Sequence, residues 1–139
     1  MAETAVKGHI AAPVEQVWQK VSSFDALESY LAPVASTRLE GSGEGAIRYC
    51  KMQDGADLKE ELDMLDEENT TMRYHGYEPM PLPLTDYVST MKLTDDGQGG
   101  TDVDWSVTFE PKGVSEAEVV EALQGLYEGG IAELNRQLT

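Results

Sequence analysis

The sequence has one cysteine, Cys50, and two histidines, His9 and His75. A lone cysteine closes no intrachain disulfide, and with two distant histidines it makes no zinc-type cluster. The carboxylates show no metal-ligand spacing either, so neither a metal nor a cofactor is expected. No Ser/His/Asp arrangement is visible, and a hydroxyl without a placed histidine is no nucleophile. Long apolar runs are also missing: nothing approaches the ~20 residues of a membrane span. The opening MAETAVKGHIAAP lacks an apolar stretch behind a basic start, so it does not read as a secretion signal. These absences lead us to expect a soluble, cytoplasmic protein with no stable membrane insertion. Positive charge is scarce, with 10 Lys and Arg against 26 Asp and Glu and a formal net charge of −16. That sign argues against nucleic acid and against an anionic membrane surface as partners. The acids are spread through EELDMLDEEN, TDDGQGGTDVD and the final segment, which reads as a solvated surface, the alternative being a basic partner.

What is present is a clear amphipathic end. In SEAEVVEALQGLYEGGIAELNRQL, residues 115–138, apolar positions fall at Val120, Leu123, Tyr127, Ile131, Leu134 and Leu138. Steps of three and four lay one stripe along a helix of about six turns, and that stripe must be buried. Ser115 is placed as N-cap with Glu118 three residues on, and Arg136 lies near the negative end of the dipole. Gly125, Gly129 and Gly130 interrupt this helix, each at about 1 kcal/mol relative to alanine. Either close packing against a sheet or room for a ligand beneath the helix would offset that cost.

The rest of the chain reads mostly as strands. TAVKGHIA alternates, with Val6 and Ile10 on one face and Lys7 and His9 on the other. Pro13 suits the first turn of a short helix through Val14, Val17, Trp18 and Val21, and Asp25 is placed to cap a second, ALESYL, stopped by Pro33. Trp18, Phe24 and Tyr30 are the apolar anchors of this pair. VASTRLEG and AIRYCKMQ flank a glycine-rich turn, GSGEG, which lacks the Lys-Ser/Thr of a phosphate cradle. LKEELDMLD, TTMRYHGYE, TDYVSTMKL and TDVDWSVTF follow, separated by DEEN, the proline-rich PMPLPL and DDGQGG. PMPLPL cannot pair as a central strand and reads as a loop that could form a rim or lid. A single domain, 1–139, is expected, large enough to bury roughly two thirds of its unfolded surface. The predicted architecture is α+β: a curved seven-stranded antiparallel sheet wrapped around the long C-terminal helix, with two short helices between strands 1 and 2.

In that order, APVEQVWQKVSSFDALESYLAPV, GEGAIRYC, EELDMLD, TDYVSTMKL, TDVDWSVTFEP and YEGGIAEL resemble the START-like, helix-grip (SRPBCC) superfamily. Within it the likeness is to the polyketide cyclase/dehydrase and lipid-transport families, and it covers nearly the whole chain. Two departures are Tyr30, where many relatives have tryptophan, and the acidity. The resemblance implies an elongated, largely apolar cavity between sheet and helix that holds lipids, sterols, polyketides or aromatic molecules. It implies no single reaction, so activity has to be argued from the lining.

Period-two alternation nominates that lining. Leu58, Leu62 and Met64 share a face with Glu60, a carboxylate in an apolar row that could act as acid or base. Arg48, on a face with Ala46, Cys50 and Met52, could lie diagonal to it; an Arg48/Glu60 ion pair or a grip on a polar head group both fit. Tyr87, Ser89, Met91 and Leu93 form another face, with Met91 opposite Trp105. Tyr74 is assigned inward with Met72 by alternation and by the resemblance; a one-residue slip at DEEN would turn His75 inward instead. From the helix come Leu123 and Tyr127. Three readings follow. One is a module binding a small hydrophobic or aromatic molecule through Arg48, Glu60, Tyr74, Tyr87 and Ser89. Another is a cofactor-independent cyclase or dehydratase with Glu60 moving a proton and Tyr74 or Tyr87 steadying an enolate. The third is a partner-binding domain whose cavity Trp105 and Tyr127 fill. These residues specify neither the ligand nor the oligomeric state.

Overall fold

A computed structural model describes Met1–Thr139. Strand β1 (Ala2–Ile10) leads into α1 (Val14–Val21) and a short 3-10 helix (Leu27–Ser29). There follow β2 (Val34–Glu40), β3 (Ile47–Met52), β4 (Asp57–Asp66), β5 (Thr71–Gly76), β6 (Leu84–Asp95), β7 (Thr101–Pro111) and the long helix α2 (Glu116–Leu138). The strands form one antiparallel sheet in the order β1-β7-β6-β5-β4-β3-β2. Each strand after β1 pairs with its successor, and the chain closes by laying β7 against β1. Helix α2 then crosses the inner face as the resemblance implied.

Alternation explains the sheet. On β7, Val103, Trp105, Val107 and Phe109 are buried while Asp102, Asp104, Ser106 and Thr108 face outward. Met91 stands directly opposite Trp105, as expected. The β6–β7 turn is closed by Asp96, whose carboxylate accepts from the Gln98 and Gly100 amides and meets His9 Nε2 at 2.7 Å. The His9 contact first, then those amides, hold that carboxyl down at about 2.

Helix α2 starts where its cap predicts, Ser115 Oγ accepting from the Glu118 amide at 3.2 Å. Its other end is tied to β1 by one side chain: Asn135 donates to the His9 carbonyl at 2.7 Å and accepts from the Ala11 amide at 2.9 Å. The buried stripe is Val119, Leu123, Tyr127, Ile131 and Leu134, so at its start Val119 replaces the expected Val120, and Val120 and Leu138 are half-buried. A run of two valines offers the helix either one, and the docking angle decides.

The segment after α1 also differs from expectation. Pro13 is the N-cap, one position ahead of the helix, and Asp25 caps nothing. ALESYL makes a single 3-10 turn, because the period of three brings Leu27 and Tyr30 inward together and Pro33 leaves no room for a longer helix. Trp18, Phe24 and Tyr30 are all buried, as anchors should be.

Candidate functional site

Between α2, the segment 27–34, the inner faces of β3 to β6 and the loop carrying Met80, Pro81 and Leu82 lies a cavity of about 870 Å³. Most of its wall is aliphatic: Leu27, Leu31, Met52, Leu58, Met80, Leu82, Leu123 and Leu126 all line it. PMPLPL is therefore a rim of the cavity. The polar groups gather on the buried part of the wall, where Arg48, Glu60, Tyr30, Tyr74, Tyr87 and Tyr127 are each less than a tenth exposed. Glu28 and Arg136 are exposed at its edge, with Glu133 half-buried between.

The three helix glycines divide between the two expected roles. At Gly130 a Cβ would lie 2.9 Å from Leu31 Cδ2 and 3.1 Å from Trp105 Cζ3, so this glycine permits close packing. At Gly125 and Gly129 a Cβ would meet nothing within 4 Å, and both line the cavity beside Ala122 and Ala132. Those two leave space at one lip of the opening.

Arg48 and Glu60 sit directly opposite one another on β3 and β4 rather than diagonally. Arg48 Nε donates to Glu60 Oε1 at 2.7 Å, and a terminal nitrogen lies 2.5 Å from the same oxygen. The other terminal nitrogen donates to the Phe24 carbonyl at 3.3 Å. The guanidinium carbon stands 3.9 Å from the Phe24 ring centroid and 4.7 Å from that of Tyr74, distances of cation–π attraction. Burial works against this charge, but Glu60 and the neighbouring phenols outweigh it and keep the guanidinium more basic than usual. Glu60 Oε2 receives no hydrogen bond from the protein. It is not sealed off either, since no fully buried side-chain oxygen lacks a partner. It therefore opens into the cavity that Glu60 lines.

The hydroxyls form a directed chain. Ser89 Oγ donates to the Ser106 carbonyl at 3.0 Å and accepts from Trp105 Nε1 at 3.1 Å. Its hydrogen is thus committed, so Tyr127, 3.1 Å away, must donate to it. Tyr87, 3.4 Å from Tyr127, is left to donate in turn. Trp105 Nε1 also lies 3.1 Å from the Tyr74 oxygen, and its ring stacks on Tyr127 with centroids 4.1 Å apart. Burial pushes the phenols of Tyr30, Tyr74, Tyr87 and Tyr127 up, so all four remain neutral hydroxyls.

Of the residues nominated from sequence, Arg48, Glu60, Tyr74, Tyr87, Leu123 and Tyr127 line the cavity. Ser89, Met91 and Trp105 do not: they lie behind the wall, Ser89 saturated by its partners and Trp105 supporting Tyr127. Trp105 and Tyr127 do not fill the space. Tyr74 points inward, and His75 points out to Asp63 at 2.8 Å, so no histidine reaches the cavity. Met64 is a correction: the pairing of β4 shifts between Leu62 and Met64, which puts Met64 opposite outward Arg73 and Leu65 opposite buried Met72. That bulge flips every later side chain of the strand. Sequence reasoning missed Tyr30 as a lining residue, having placed it only as an anchor, and missed Leu27, Leu31 and Leu126. Leu126 stands one step off the buried stripe of α2, and an apolar residue beside that stripe was the available signal; the structure leaves it half-buried.

A family model described as polyketide cyclase / dehydrase and lipid transport matches residues 1–139. The chain belongs to that family. Among solved structures, it is similar to the protein XoxI from Bacillus cereus, at 29% identity and a TM-score of 0.90 over 99% of this chain and 96% of that one. A putative uncharacterized protein from Bacillus thuringiensis aligns at 28% identity and a TM-score of 0.90, covering 99% and 98%. A norcoclaurine synthase point mutant from Thalictrum, solved with a transition-state analogue, shares the fold at 17% identity and a TM-score of 0.76, covering 99% and 93%. Curated proteins yield no match to the sequence. Family membership agrees with the helix-grip architecture and with a ligand-holding role, while the residues above determine how this member would hold one.

Proposed function

We propose that this family member binds a small hydrophobic or aromatic molecule in the cavity between sheet and α2, its apolar body against the leucines and methionines and its polar end toward Glu60 and the tyrosines. The observation that carries the reading is a cavity of about 870 Å³ whose wall is mainly apolar and whose Arg48, Glu60 and tyrosines converge on its buried side. Binding sites for drug-sized molecules have that volume and that lining. A filled core would instead have brought Trp105 and Tyr127 into the space.

The test is mass spectrometry of an organic extract of the purified protein, beside a Gly125→Leu/Gly129→Leu variant and a blank. A Cβ at either position meets open space, so leucines there can be built outward and narrow the lip of the cavity. A lipophilic molecule in stoichiometric amount, lost in the variant, is the expected result. An extract indistinguishable from the blank, together with no binding of added naphthalene-sized probes, would sink the reading.

A second reading is acid–base catalysis without a cofactor, in the manner of a cyclase or dehydratase. What favours it is Glu60 Oε2, a carboxylate oxygen open to the cavity, on a wall that also carries Tyr30 and Tyr74, whose hydroxyl hydrogens are not committed to the Ser89 chain and can donate to a developing enolate. In this case Glu60→Gln abolishes turnover of a candidate substrate and leaves its binding within a few-fold of the wild type. Equal turnover in the two proteins would reject Glu60 as the proton carrier.

A further inference from the structure

The two members of the buried ion pair differ in what they have left to offer. Arg48 directs its Nε and one terminal nitrogen at Glu60 Oε1 and the other terminal nitrogen at the Phe24 carbonyl, with Phe24 and Tyr74 rings close by. Glu60 receives both of its contacts on Oε1 and turns Oε2 to the cavity. We infer that the cavity selects molecules whose buried end is an uncharged hydrogen-bond donor, a phenol or an alcohol, and rejects those headed by a carboxylate, such as free fatty acids. This rests on the reading of the cavity as a ligand site and adds the class of ligand.

The argument is one of charge at short range. A hydroxyl donating to Oε2 gives the oxygen that Arg48 leaves unpartnered a hydrogen bond, and bonds from neutral donors to a carboxylate are the strong, charge-assisted kind. A ligand carboxylate in the same place would face a second carboxylate at contact distance with little water between them, which is strongly unfavourable. Arg48 offers it little in return, because its charge is already matched by Glu60 and its nitrogens are turned to Glu60 Oε1, the Phe24 carbonyl and the Tyr30 hydroxyl. No other cation lines the buried wall, and at the rim Arg136 is paired with Glu133. An ammonium is disfavoured too, since the Arg48 guanidinium lies directly behind Oε1. The tyrosines add donors and acceptors but no charge.

The experiment compares two ligands of one shape, 2-naphthol and 2-naphthoate, by isothermal titration at pH 7 with the wild-type chain. The pair 1-octanol and octanoate repeats the comparison for an aliphatic body. Both pairs are run in low salt and in about 0.5 M NaCl, where the general repulsion of anions by a protein of net charge −16 is screened but a contact inside the cavity is not. Expected is at least tenfold tighter binding of each alcohol than of its carboxylate, persisting in salt. Glu60→Gln narrows or reverses that preference, because Arg48 is then left with an unmatched charge. Equal affinities in the wild type, a preference that vanishes in salt, or one unchanged by Glu60→Gln in a folded variant would each overturn the inference while leaving the cavity a ligand site. Binding of no member of either pair would overturn the ligand-site reading, and this inference with it. The wild-type comparison decides the matter even where Glu60→Gln does not fold.

Discussion

Arg48 and Glu60 are 1% and 2% exposed, and removing both charges from water costs several kcal/mol per ion before their attraction offsets it. Such a pair contributes less to stability than its short distances suggest, yet either partner alone is far worse. Arg48→Met is therefore expected to destabilise the chain by about 3–5 kcal/mol in urea unfolding, by leaving a buried carboxylate without its counter-charge. Arg48→Met/Glu60→Leu should recover most of that loss, since no charge then remains to be desolvated. A double variant as unstable as the sum of its singles would show that the two side chains act independently. At this scale the sequence was legible as far as alternation reached. Glu60, Arg48, Tyr74 and Tyr87 all face as period two requires. Met64 fails for a physical reason, because a bulge inserts one residue without any change in the alternating pattern that surrounds it. Ser89 has the right face, but only the positions of Trp105, Tyr127 and the Ser106 carbonyl reveal that it is saturated.

The glycines of α2 show how one element serves two neighbours. Gly130 presses on Leu31 and on the Trp105 ring, which is itself fixed by stacking on Tyr127 and by hydrogen bonds from Nε1. Gly125 and Gly129 are exposed and border the cavity. Alanine at Gly125 or Gly129 should raise stability by up to about 1 kcal/mol each, through helix propensity alone, with no loss of packing. Alanine at Gly130 should lower stability despite the same propensity gain, because a methyl group forces the Leu31 side chain or the indole to move. Thermal unfolding of the three variants checks this. A stabilised Gly130→Ala would mean that Leu31 yields without cost, and the packing role would fall. The start of α2 was legible because its cap is local: Ser115 announces the helix whatever lies across from it. The division of labour among the glycines was not, since it depends on what stands opposite each one. The short segment before β2 went the same way, a capping pattern at Asp25 being overridden by the need to bury Leu27 and Tyr30 together.

On the scale of the molecule, strand count, strand order and the closing helix follow from hydrophobic period and turn residues, both properties of the chain read locally. The cavity does not. Its volume is set by how far α2 stands off β3 and β4 and by where Met80 and Leu82 fall, and no periodicity encodes either. The acidity belongs to this scale as well. Cations are too few to pair the 26 carboxylates, and one of the ten, Arg48, is buried with Glu60. Exposed pairs such as Lys51–Asp57 and Lys112–Glu78 contribute little individually, whereas the unpaired carboxylates repel one another across the whole surface. In about 0.01 M salt that repulsion reaches ~30 Å, and in about 1 M salt only ~3 Å. Unfolding spreads the charges apart, so repulsion destabilises the folded state and screening should stabilise it. Sodium chloride raised across that range should therefore lift Tm, and relief of about 1 kcal/mol corresponds to about 4 °C for a domain of this length. Because the effect arises from excess negative charge, replacing exposed Glu121 and Glu128 on α2 with lysine should reproduce part of the shift in low salt and reduce the response to added salt. A Tm that falls as salt rises would mean that the few surface ion pairs outweigh the surplus carboxylates, and the charge argument would be wrong for this chain.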